Sequence, residues 1–169
     1  PSITASGSSG SFLLGGAAVP VDGGLTLSDR DSSTLASARV AISGNFHSGE
    51  DVLGFVNNNS TLYGNIVASY NAGTGVLTLT SSGATATLAQ WQEALRAVSY
   101  TDTAATPNTA TRVIQFSVSD GSKTSATVSR GVTMALPAPS IVGLTAGTDT
   151  GSSASDGITG NNAPTVAGT

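Results

Sequence analysis

Cysteine is absent from this 169-residue chain. That removes disulfide frameworks, thiolate zinc sites and thiol nucleophiles. Charge is scarce as well: 9% of the residues are charged, where soluble domains average about 25%. Six basic residues stand against ten acidic ones, for a net charge of −4. No basic surface is available to neutralise phosphates, so nucleic-acid binding is not expected. Aromatics make up 5%, and His47 is the single histidine. A catalytic base needs a nucleophile or a water together with an orienting partner. The chain has no Gly-x-Ser-x-Gly elbow and no Gly-rich phosphate loop between a strand and a helix. These absences point to a protein that is not an enzyme. No run of 18 apolar residues occurs, so no membrane span is expected. The chain opens on Pro1 rather than Met and shows no signal peptide, which reads as a processed product or an excerpt of something longer.

What is present favours strands. Hydrophobic content is 38%, drawn mainly from Val, Leu, Ile and Ala, with Thr, Ser and Gly between them. Residues 35–43 (LASARVAIS) alternate, with Ala38, Val40 and Ile42 on one face and Arg39, Ala41 and Ser43 on the other. Residues 112–119 (RVIQFSVS) alternate in the same way, with Ile114, Phe116 and Val118 sharing a face, and Asp120-Gly121 supplies a hairpin turn. Further strands are expected at 25–27, 52–56, 62–70, 76–80, 99–102 and 125–134, with a loop at 57–60 and a turn at 71–75. In 76–80, Val76 or Leu77 competes with Leu79 for the inner face. Residues 1–11 suit a short edge strand or a linker. One segment breaks the rhythm. Thr87 to Gln90 has the form of a capping box, and Leu88, Trp91, Leu95 and Val98 then follow at helical spacing. A short helix over 88–98 should bury the only tryptophan. Short strands recurring every 8–12 residues indicate an all-β, antiparallel sandwich.

The chain divides at a Pro-rich linker, residues 137–139. Residues 1–136 form the main domain. Residues 140–169 carry strand character but are too few to build a core of their own. They are either a tail that docks on a neighbour or the opening of a following domain.

The blocks LTLSDRDS, LASARVAIS and GEDVLGF, followed by YNAGTGVLTLT, TLAQWQEALRAVSY and TATRVIQFSVSDG, resemble the cadherin-like repeats of giant bacterial surface adhesins. The last residues, with PSIVGL, DTGSSASDGIT and NNAPTVAGT, resemble the opening of the bacterial Ig-like repeats found in the same proteins. The resemblance covers about 130 residues of the first unit. It implies an Ig/cadherin-like β-sandwich, an extracellular place on the bacterial cell surface, and calcium near the junctions between modules. Asp29, Asp31 and Asp120 match the family's acidic pattern in the first unit; Asp149 and Asp156 match the loop of the Ig-like opening.

The residues admit more than one role. Asp29 and Asp31, at i and i+2, with Asp120 from another loop, can supply the charged part of a calcium site or can cap turn amides. Glu50-Asp51 reads as a solvated acidic pair, with a loop cap or a cation site as the other readings. Asn58-Asn59-Ser60 and Asn59-Ser60-Thr61 are formal glycosylation acceptors and suit an exposed loop. Three functions follow: a structural extender contacting neighbouring repeats or identical subunits; a module binding carbohydrate or a host protein through loops 44–51 and 57–61; and a filament subunit whose 140–169 segment adds a strand to another copy.

Overall fold

The computed structural model describes residues 1–7 and 9–138, and in addition the strand backbone of 141–144 and 166–168. It divides into two units, Pro1–Leu136 and Pro137–Thr169. The first unit runs β1 (Ser2–Thr4), β2 (Gly10–Leu13), β3 (Val19–Pro20), β4 (Thr26–Ser28), β5 (Ser37–Gly44), β6 (Asp51–Gly54), α1 (Ser60–Tyr63), β7 (Ile66–Asn71), β8 (Val76–Ser81), α2 (Leu88–Arg96), β9 (Ser99–Asp102), β10 (Arg112–Ser119) and β11 (Val128–Ala135). In the second unit, β12 (Ile141–Leu144) pairs antiparallel with β13 (Val166–Gly168). The calls on Asp149 and Asp156 fall outside the described residues.

The fold is all-β with short helices. A six-stranded sheet has the order β2-β11-β10-β5-β8-β7, and a three-stranded sheet the order β3-β9-β6. A two-stranded ribbon, β1-β4, closes the set. Every pairing in the large sheet is antiparallel except β2 with β11, which is parallel. The alternation of β10 and β5 has its expected effect: Ile114, Phe116, Val118, Ala38, Val40 and Ile42 are buried. In β8 the competition goes to Leu77 and Leu79. The smaller sheet contributes Leu53 and Tyr100 to the same core. The Phe12 and Tyr100 rings meet edge to face at 5.4 Å. Each such large apolar side chain contributes about 1.5–3 kcal/mol on burial.

Helix α2 forms where the capping box places it. Thr87 Oγ1 accepts from the Gln90 amide at 3.3 Å, and Gln90 Oε1 accepts from the Thr87 amide at 3.0 Å. Its seam buries Trp91, Ala94 and Leu95. The Trp91 indole N–H donates to the Leu35 carbonyl at 2.9 Å, so the polar atom that enters the core is satisfied.

One expected strand is shorter than its pattern. The alternation of 62–70 suggests a strand throughout, but Asn59 accepts from the Thr61 and Leu62 amides and starts α1. Gly64 ends it at φ +58. The Asn57 side chain then donates to the Gly64 and Ile66 carbonyls, and β7 begins only at Ile66. Residues 57–60, read as a loop, hold the cap of this helix. The last strand also starts late, at Val128, because Ser125 is bonded to Val118 outside it.

Candidate functional site

Asp29 and Asp31 follow β4, and Asp120 follows β10. The topology brings these two connections together, and one carboxylate oxygen from each of the three residues lies within 4.8 Å of the others. Two ligands of one calcium ion, each at about 2.3–2.6 Å, can stand up to about 5.2 Å apart, so the three oxygens are within reach of one ion. Each loop shapes its own acid. Asp29 Oδ1 accepts from the Asp31 amide at 3.3 Å. Asp120 Oδ1 accepts from the Ser122 and Lys123 amides, both at 2.7 Å. Both contacts are Asx-type turns, so the capping role and the clustering coexist. An open cavity of about 410 Å³ beside Asp29 and Asp31 is lined also by Pro1, Ser28, Arg30 and Lys123.

A side-chain cation already neighbours the cluster. The exposed Lys123 Nζ lies 3.7 Å from Asp31 Oδ2. Asp29 Oδ2 is nonetheless buried and accepts no hydrogen bond. The neighbouring Asp31 side chain, assisted by the Asp31 amide, holds Asp29 below the usual carboxylate range against desolvation. The Lys123 and Ser122 amides do the same for Asp120. Asp29 and Asp120 are thereby favoured in the ionised form, the form a cation requires.

The other residues with chemistry take quieter places. His47 Nδ1 stands 4.0 Å from Glu50 Oε2 with both side chains partly exposed. Trp91 is in the core.

The Glu50-Asp51 expectation needs correction. Asp51 is not a solvated loop acid: it is 1% exposed. Arg112 Nε reaches both of its oxygens, at 2.9 and 3.0 Å. The Tyr100 hydroxyl donates to Oδ1, and the His47 amide donates to Oδ2 at 2.7 Å. Arg112 also gives Nη2 to Asp102 at 3.1 Å, and Nη1 to the Asn108 and Ala110 carbonyls. Asp51 and Asp102 belong to β6 and β9 of the small sheet, and Arg112 to β10 of the large one. One guanidinium therefore joins the two sheets. Burial lowers the Arg112 pKa, but Asp51, Tyr100 and Asp102 more than offset this and hold it above its ordinary value. Burial first, then the Asp51 bond and charge, push the Tyr100 phenol far above its ordinary 10.0.

A second buried pair involves β11, the strand next to β10 in the large sheet. Arg130 Nε stands 3.1 Å from Asp22 Oδ2, with side-chain exposures of 8% and 0%. Arg130 Nη1 donates to the Ser6 carbonyl, and Asp22 accepts from the Ser6 and Gly24 amides at 2.9 and 3.1 Å. Neither cluster was anticipated from the sequence. The available signal was parity: Arg112 alternates in phase with Ile114, Phe116 and Val118, so it had to face the core.

No family model, no curated protein and no solved structure matches the chain.

Proposed function

We propose that this chain is a non-catalytic structural module of a bacterial cell-surface adhesin or extracellular fibre. In this reading it is an Ig/cadherin-like sandwich that spaces and contacts neighbouring modules, and calcium stiffens it at Asp29, Asp31 and Asp120. The single observation that carries the reading is the convergence of those three acids within 4.8 Å from two separate connections. The resemblance in sequence marked the same three residues. An ion there would tie the connection after β4 to the turn after β10, and would neutralise carboxylates that otherwise repel. Backbone carbonyls and water would complete the six to eight oxygens that calcium takes.

Lys123 neutralises part of the cluster, so calcium competes with it and binds weakly. A Kd of about 10⁻⁴–10⁻³ M suits an extracellular module. At calcium of about ten times Kd the folded state gains about 1.4 kcal/mol, a rise of roughly 3–6 °C in Tm. Thermal melts of the wild-type chain and of Asp31→Asn and Asp120→Asn, with calcium and with chelator, test this. A Tm unmoved by calcium in the wild-type chain removes the calcium role.

A further inference from the structure

The parallel pairing of β2 with β11 has a mechanical consequence. Gly10 lies opposite Val132 and Leu13 opposite Ala135. The preceding chain enters β2 at the Gly10 end, and the following chain leaves β11 at the Ala135 end. Tension applied before β2 and after β11 therefore pulls the two strands in opposite directions along their length. Every bond of the ladder is loaded together. In an antiparallel pair pulled from one end, bonds break one at a time.

We propose that β2 and β11, latched by Asp22 and Arg130, form a load-bearing clamp that sets the force at which the first unit opens. The ladder is reinforced at both ends: the Leu14 amide donates to Ala135 at 2.9 Å, and Thr133 Oγ1 donates to Gly10 at 3.2 Å. Phe12 and Val132 lie under it at 0% exposure, so water does not reach the inner side. The latch lies just upstream. Arg130 on β11 binds the Ser6 carbonyl, and its partner Asp22 binds the Ser6 amide at 2.9 Å. Both polar groups of that peptide segment are thus held by one buried pair. Tension that peels β1 from β4, a ribbon of three residue pairs, stops at Ser6 and passes to the clamp. The purpose of such a clamp rests on the extender reading; its geometry does not.

The chain has no cysteine, so introduced pairs serve as handles in the full chain. Ser2→Cys with Leu136→Cys loads the clamp in shear. Leu62→Cys with Ser82→Cys peels β7 from β8 in the same folded protein at the same overall stability. Forced opening is set by the unfolding rate along the pulled direction, so the shear pair should require about twofold more force than the peeling pair. That event should release chain on the order of 400 Å. Equal or lower force in the shear geometry overturns the clamp. Arg130→Met should lower the shear force and leave the peeling force unchanged; an unchanged shear force overturns the latch. All pulls are made in chelator, so failure of the clamp is separate from failure of the calcium site.

Discussion

Two groups of charged residues hold five of this molecule's ten acids. Asp29, Asp31 and Asp120 sit together on loops, the first two beside an open cavity. Asp51 and Asp102 are buried around Arg112, whose own side chain is 0% exposed. The residue types are the same and the physics is opposite. The loop acids keep like charges together, with an exposed lysine beside them. The buried acids give every oxygen that enters the core a fixed donor. A cluster of the first kind is open to an ion. A cluster of the second kind is complete, and its task is to hold two sheets in one register.

The largest expected effect breaks the buried side of this comparison. Arg112→Ala leaves Asp51 and Asp102 without a counter-charge and should cost about 3–5 kcal/mol, read by urea unfolding. Replacing Asp51, Asp102 and Arg112 together by apolar residues of similar volume should cost much less, because no charge is stranded. A triple variant no more stable than the single one contradicts this account. Alkali is the next test. The Tyr100 pKa is raised in the folded state, so its contribution is complete below the unfolded value of 10.0. Stability should fall as pH rises past it, by up to about 1.4 kcal/mol per pH unit, and Tyr100→Phe should flatten that slope. Acid probes the loop side. The pKa values of Asp29 and Asp120 are lowered, so their contribution is present above the unfolded value of 3.8 and is lost as pH falls below it. Asp120→Asn should remove part of that acid sensitivity in unfolding curves taken in chelator. The smallest effect is Lys123→Ala: an exposed ion pair contributes about 0–1 kcal/mol. Its removal should change Tm little but tighten calcium, by deleting a competitor.

The same contrast explains what was legible in the sequence. Helix α2 was, because Thr87, Gln90 and the Trp91–Leu95 seam state its start and its buried face within one short segment. The alternating strands β5 and β10 were, for the same local reason. Helix α1 was not, because its cap depends on which of three adjacent asparagines turns its side chain onto the first amides of the helix. The loop acids were legible through local spacing and resemblance. Asp51 was not: its partner Arg112 is 61 positions away, and next to Glu50 it looks like any surface acid. Local pattern reports which face a residue takes, but the identity of a buried partner is set by topology. Arg112 and Arg130 could have been flagged by their core-facing parity alone, without a partner to name.

The central claim is tested most directly by calorimetric titration of calcium into the full chain. The account predicts one ion per chain with a Kd of about 10⁻⁴–10⁻³ M, and loss of that binding in Asp120→Asn while the variant stays folded. Absence of binding, or binding unchanged in Asp120→Asn, would contradict it.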